Sequence, residues 1–249
     1  MASDLTKFGL TEMLRCSTEL RRAMRDAPTM EEAAQRVCRV LYDELVTSDN
    51  KSRACALVRC YKTHPYGKLE PELQSFAKAV LQGHTAGPTT RCLTLLGTVG
   101  DEPAWNSRRT SAGHQAIPLP SAEIIEKAPM IAQLIRQFGL ELTEVVHPAT
   151  DLVRSLTGKT YGVFHVPEAP GSPYIPAQDD FVLKFGIRSV VGFGGSLPSG
   201  DLFAVVLFAR VPISSETADR FRNLALDVKS GFFPYREGET FNTEAAAAR

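Results

Sequence analysis

Two apolar runs near the C-terminal end, Ile187–Gly194 (IRSVVGFG) and Leu202–Arg210 (LFAVVLFAR), are joined by the short loop SLPSGD. Both are rich in β-branched and aromatic residues, and the link is built from turn formers, so together they read as an antiparallel hairpin. A chain with such a hairpin must build the rest of its core around a sheet.

The remaining segments supply partners for it. Ala54–Tyr61 (ACALVRCY), Arg91–Val99 (RCLTLLGTV) and Thr160–Val166 (TYGVFHV) read as further strands, giving a sheet over 54–60, 91–98, 160–166, 187–194 and 202–210. Helices alternate with them. Residues 1–27 form a charged helical segment in which Leu10, Met13, Leu14, Leu20 and Met24 fall near helical spacing. Thr29 followed by Glu32 forms a capping box for a helix over 30–46, with Met30, Ala33, Ala34, Val37, Cys38, Leu41 and Leu45 on one face. Pro71 and Pro129 sit where proline suits the first turn of helices running to Leu81 and Phe138. Ser121 caps a short helix, Thr150–Leu156 forms another, and Ser214 caps the last long one. Leu140–Val146 fits either a strand or a helical extension, and Gly100–Pro118 reads as polar and irregular. An antiparallel sheet with flanking helices is the α+β layering.

Composition removes several classes. Lys+Arg and Asp+Glu both number 28, and zero net charge argues against a nucleic-acid partner, which needs a basic face. The longest apolar run, Leu202–Ala209, falls far short of the roughly 20 residues that span a bilayer, so no membrane partner is expected. The first 25 residues are too charged for a secretory signal. Five cysteines (Cys16, Cys38, Cys55, Cys60, Cys92) lack the paired spacing of a zinc site and sit mostly in apolar patterns, which suits a reducing, cytoplasmic location.

The candidate chemistry is spread out. Trp105, Asn106, Arg108, Arg109 and His114 form a polar–aromatic loop able to hold an anion through charge-assisted hydrogen bonds and stacking. His147 and His165 are the histidines nearest such a region, and a neutral imidazole there can hydrogen-bond a ligand or ligate haem iron. Arg188, on a strand, is expected to meet a buried carboxylate. Gly192–Gly195 lacks the third glycine of a dinucleotide fingerprint and reads as close backbone packing.

Four stretches, in this order along the chain, resemble the GAF domain family, small-molecule sensing modules of bacterial signalling proteins. They are the helix MEEAAQRVCRVLYDEL; LTLLGTVGDEP followed by AIPLPS; YGVFHVPEAPGSPY followed by FGIRSVVGFGG; and GDLFAVVLFARVPISSETADRFRNLALDV. Gly186-Ile187-Arg188-Ser189 is the most specific motif among them. The resemblance implies a GAF-like central antiparallel sheet with flanking helices. It divides the chain into a helical segment (1–27), a sensory domain (28–232) and a linker or tail (233–249).

It also implies a small-molecule ligand in a pocket between one sheet face and the insert 100–166. Trp105, Arg109, His147, His165 and Phe193 are expected to line that pocket. Terminal helices would pair two copies as a homodimer and pass the signal to a downstream domain or partner protein. Three other readings share the fold: a haem-based sensor, a thiol-dependent reductase, and a ligand-free dimerisation module.

Overall fold

The computed structural model describes residues 2–49, 52–81, 85–111, 113–148, 161–235 and 240–242. The chain opens with a two-residue strand, β1 (Ser3–Asp4), and α1 (Leu10–Met24). Then come α2 (Met30–Glu44), β2 (Leu45–Val46), β3 (Cys55–Pro65), α3 (Pro71–Val80), β4 (Arg91–Gly100) and β5 (Ala116–Leu119). The insert supplies α4 (Ala122–Glu126), α5 (Pro129–Gln137) and α6 (Leu142–Val146). The described chain resumes with β6 (Tyr161–Val166), β7 (Ser189–Ser196), β8 (Leu202–Ala209) and α7 (Ser215–Phe232). One antiparallel sheet runs β5-β4-β3-β8-β7-β6, with β1 and β2 paired in parallel beside it.

The expected hairpin forms, with Ser196 opposite Leu202 and Ser189 opposite Ala209. All five expected strands are in the sheet. Ala116–Leu119, inside the stretch read as irregular, is a sixth strand: Ile117 and Ala116 pair with Leu93 and Thr94, and the prolines at 118 and 120 are tolerated because this is an edge. Leu142–Val146 resolves as helix, and the helix expected at Thr150–Leu156 lies outside the described residues. Arg188 does not meet a buried carboxylate. It is exposed just before β7, where its backbone donates to Ala209 O at 2.7 Å.

The caps follow the sequence. Thr29 Oγ1 accepts from Glu32 N at 3.1 Å, Ser121 Oγ from Ile124 N at 3.4 Å and Ser214 Oγ from Thr217 N at 3.1 Å. Glu32 turns its carboxylate to Arg36 Nε at 2.9 Å.

Each strand presents alternate residues to two different layers. On one face Val58, Cys60, Val191, Phe193, Phe203, Val205 and Leu207 meet α1, α2 and α7. On the other, Leu57, Tyr61, Leu95, Phe164, Val206 and Phe208 meet the insert helices through Leu134, Ile135, Phe138, Leu142 and Val145. Helix α2 lies so close that a Cβ on Gly97 would stand 2.6 Å from the Ala34 carbonyl carbon. On the insert face Gly194 leaves room for Phe138, and its missing Cβ would meet Phe203 O at 2.1 Å. The glycine-rich end of β7 is therefore a packing device, as its sequence suggested.

The α1 stripe is turned inward. Met13, Cys16, Leu20 and Met24 are buried, Phe8 stacks on Phe221 at 4.9 Å, and Leu10 and Leu14 are left exposed at 63% and 56%.

The hairpin turn is tied down by a charge knot. Asp201 Oδ2 takes Lys62 Nζ at 2.8 Å and Ser199 Oγ at 2.7 Å, and its Oδ1 takes Arg91 Nη1. Thr63 Oγ1 accepts from Leu202 N at 2.9 Å. Lys62 Nζ also donates to Thr63 O at 3.1 Å and contacts His64 Nδ1 at 3.3 Å. An ammonium only donates, so His64 accepts through Nδ1 and gives Nε2–H to Lys68 O at 3.2 Å.

Burial, and then the Lys62 charge, bring His64 down to about 4. Its folded value is thus below its unfolded one. The stability this represents is complete above pH 6.5 and is lost as pH falls toward 4, because the unfolded chain takes up a proton that the folded chain refuses. Denaturant titrations should therefore show the wild type losing about 2 kcal/mol more between pH 7 and pH 5 than His64→Gln. Equal losses in the two proteins would mean that His64 is not held neutral.

Candidate functional site

Strand β3 lies at the centre of the sheet, and every residue from Cys55 to His64 is buried. Arg59 stands in its middle, opposite Thr98 on β4 and Val206 on β8. It alternates with Leu57 and Tyr61, which places it on the insert face.

Among the described residues its guanidinium has only neutral partners. Nη1 donates to Tyr61 Oη at 3.2 Å and Nη2 to Ser111 Oγ at 2.9 Å. Nε is buried with no partner, and so is Thr98 Oγ1, directly across the strand pair. Arg59 is only 9% exposed, and among the described residues no carboxylate is within ion-pair distance of it. A buried cation without a counter-charge is costly, because desolvation is not offset by an ion pair. Burial raises the Tyr61 phenol, so it stays protonated and adds no negative charge. Desolvation, then the Arg59 charge, lowers His114, which is neutral at pH 7 and contributes none either.

The loop carrying Ser111 is held by side chains that imitate a neighbouring strand. Beyond β5 the outer edge of β4 would be bare. Gln35 of α2 fills it, accepting from Thr98 N at 2.9 Å and donating to Thr98 O at 3.0 Å. Asn106 does the same for Gly100, donating to its O at 2.9 Å. Gln35 also donates to Asn106 O at 3.2 Å, joining loop and helix. Arg108 adds a buried bridge, with Nη2 at 2.8 Å from both Glu31 of α2 and Glu70. Gln115 Nε2 fixes Ser111 O at 2.6 Å.

The five residues expected around a pocket do not come together. Trp105 lies on the insert face, against Gly100 and the rings of Phe185 (4.6 Å) and Phe181 (5.7 Å), two register pairs along from Arg59 and Thr98. Arg109 is exposed and spends its guanidinium on Asn242 O at 3.2 Å and Glu70 at 3.7 Å. His147 ends α6 beside a cavity of about 430 Å³ lined by Thr89, Arg91, Leu119 and Pro120. His165 and Phe193 are on the opposite face: His165 Nε2 donates to Ile213 O at 2.9 Å, and Phe193 is buried against Phe221. Strand alternation decides this, since Val163 and Phe193 share the α7 side.

The signal for Arg59 was an arginine inside the apolar run ACALVRCY. The partners Thr98 and Ser111 are assembled by register and loop packing, which the sequence does not spell out.

His165 commits Nε2 to the Ile213 carbonyl, which leaves only Nδ1 of that ring to meet a ligand. All five cysteines are buried. Burial pushes Cys16, Cys55 and Cys92 up to about 12 and raises Cys38 and Cys60 as well, so none offers a thiolate at neutral pH.

No protein-family model and no curated protein sequence matches this chain. Among solved structures, the GAF domain of a phosphoenolpyruvate-protein phosphotransferase from Coxiella burnetii is similar over 91% of this chain and 96% of that one, at 10% identity and a TM-score of 0.49. Free methionine-R-sulfoxide reductase from Neisseria meningitidis, in complex with its substrate, is similar over 95% of both chains, at 12% identity and a TM-score of 0.49. The phycoerythrobilin-bound GAF domain of a cyanobacterial phytochrome is similar over 89% and 94%, at 10% identity and 0.41. The six-stranded antiparallel sheet, with terminal helices on one face and the insert on the other, is the GAF-like layering implied by the sequence resemblance. No described helix is long and apolar enough to cross a membrane.

Arg59→Met keeps the aliphatic volume and removes the unpaired charge. In the absence of ligand it should raise stability by about 1–2 kcal/mol in urea unfolding. A loss of that size would show that the guanidinium is already satisfied.

Proposed function

We propose that this chain is a GAF-like sensory domain that binds a small anionic ligand on the insert face of the sheet, with Arg59 as its anchor. The observation that carries the reading is the buried Arg59 guanidinium, whose partners are neutral and whose Nε, like the facing Thr98 Oγ1, is unpartnered. A carboxylate or phosphate would supply the missing charge, and Tyr61 and Ser111 would add hydrogen bonds. Trp105 forms the aromatic side of the site.

The transmission step follows from the same contacts. Ser111 belongs to a loop clamped to α2 by Gln35–Asn106 and Arg108–Glu31. A ligand that binds better when this loop is closed shifts the population toward one position of α2 relative to the sheet. Helices α1 and α7 pack in the same layer, and with α2 they carry the change to the surface. Exposed Leu10 and Leu14 on α1 and Leu226 on α7 support the further proposal that two copies pair there, in the cytoplasm, and pass the state to a partner protein or signalling domain.

The packed apolar layer around Phe138, Leu134 and Phe164 favours a second reading, a dimerisation module with no ligand.

A thermal-shift screen of small carboxylates and phosphomonoesters separates the two. A ligand at a hundredfold excess over Kd should stabilise the wild type by about 2.7 kcal/mol and leave Arg59→Met unshifted. No shift with any compound, or equal shifts in both proteins, would favour the module. Light scattering tests the pairing: Leu10→Glu with Leu14→Glu should convert a dimer to a monomer, and a monomeric wild type would end that part of the proposal.

A further inference from the structure

At the opposite end of the sheet from Trp105, on the face that carries α1, α2 and α7, the charge knot forms one wall of a second space. A cavity of about 330 Å³ opens between Met30 at the start of α2, Phe232 and Phe233 at the end of α7, and the turn Leu197–Asp201. That volume is at the low end of the roughly 300–1,000 Å³ typical of small-molecule sites. Lys62, Lys68 and Arg91 all line it, and Asp201 is the one carboxylate among its described lining residues.

Asp201 and Lys62 are spent on each other and their neighbours. Asp201 accepts from Lys62, Ser199 and Arg91. The three ammonium protons of Lys62 are taken by Asp201, Thr63 O and His64 Nδ1. Both residues are about 95% buried, at 4% and 5% exposure, so the wall is rigid. What remains to meet a ligand is the rest of the Arg91 guanidinium, held in place by the carboxylate behind it, and the Lys68 ammonium. Beyond the Phe241 ring, which touches both His64 and Arg108, Glu31 and Glu70 are balanced by Arg108 and Arg109 together. Among the described residues no carboxylate lies within ion-pair distance of Lys68. Among the described residues the cavity thus has a positive excess on one side. Its other side is apolar: Met30, Pro65, Leu197, Phe232 and Phe233.

We propose that this cavity is a second binding site, for a small organic anion: a carboxylate or phosphate on an apolar body. Arg91 and Lys68 hold the charge, and Leu197, Phe232 and Phe233 cover the body. An oriented guanidinium suits either oxyanion through paired N–H donors. The site shares no residue with the one at Arg59, and its helical walls are on the other face of the sheet, so it stands whether or not Arg59 binds a ligand. Its walls are the first residue of α2 and the last turn of α7, so occupancy is sensed where two helices of the terminal layer meet.

Isothermal titration with phenyl phosphate, benzoate and inorganic phosphate tests this on the full chain. Phenyl phosphate or benzoate should bind at least about tenfold more tightly than inorganic phosphate, because only they use the apolar wall. Which of the two binds better identifies the oxyanion. Lys68→Ala, at an exposed position that does not threaten folding, and Arg91→Gln should each weaken that binding at least about tenfold, while Arg59→Met leaves it unchanged. The proposal is overturned if none of the three probes binds, if Lys68→Ala binds as tightly as the wild type, or if Arg59→Met abolishes the binding.

Discussion

The structure turns on one strand. β3 has a neighbour on each edge and a packed layer on each face, so Cys55 through His64 are all buried. Yet it carries Arg59, Lys62 and His64. Each ionisable group on such a strand must find its compensation inside the protein, because the cost of stripping its hydration otherwise falls on folding. The three residues meet that demand in three ways. Lys62 is paired with Asp201, His64 gives up its charge, and Arg59 is left with neutral partners.

These solutions have different consequences for the rest of the fold. The Lys62–Asp201 pair reaches from β3 to the hairpin turn and, through Arg91, to β4, so three strands are locked at one end of the sheet. Buried pairs of this kind are poor sources of net stability but severe when half removed. Their geometric effect is to fix where the turn Leu197–Asp201 sits, and with it one wall of the cavity against α7. At Arg59 no such lock exists. The loop 107–115 is brought to it by backbone mimicry from Gln35 and Asn106 and by Arg108, not by any carboxylate aimed at the guanidinium. One end of the sheet is closed by charge pairing, and its middle is left electrostatically incomplete.

Much of the fold was legible in the sequence because periodicity and caps act locally. The hairpin, the capped α2 and α7, and prolines opening α3 and α5 needed no tertiary information. The apolar pattern of strand β3 stops at Tyr61, where Lys-Thr-His breaks it. The strand continues to Pro65 because Asp201, 138 residues beyond Thr63, arrives to meet those side chains. β5 was missed for a similar reason: a four-residue edge strand containing Pro118 has little intrinsic signal and is specified by β4.

The site was less legible. Counting polar residues in the insert singled out Arg109, His147 and His165, but sequence distance does not say which sheet face a residue occupies. Parity along β6 and β7 sends His165 and Phe193 to the α7 side; Trp105 lies on the face that holds Arg59, and His147 caps an insert helix on that face but beside Leu119 and Pro120, away from Arg59.

The position of the incomplete charge also explains why a change there would be felt at the helices. The edge of β4 beside Thr98 is closed by a side chain of α2, so the backbone of the binding strand and the helix share hydrogen bonds directly. Gly97, one residue away, lets the same helix rest on the sheet with no side chain between. Close packing without an intervening cushion transmits displacement and does not absorb it. A shift of β4 or its following loop, even of a few tenths of an ångström, must move Ala34 and Gln35 or break their contacts. The first turn of α2 also holds the segment 240–242, through Glu31 N to Thr240 O at 2.9 Å and Asn242 N to Glu31 Oε2 at 2.9 Å. Residues 240–242 are therefore fastened to the same helix that rests on the sheet, so both proposed binding sites border α2 or its contacts.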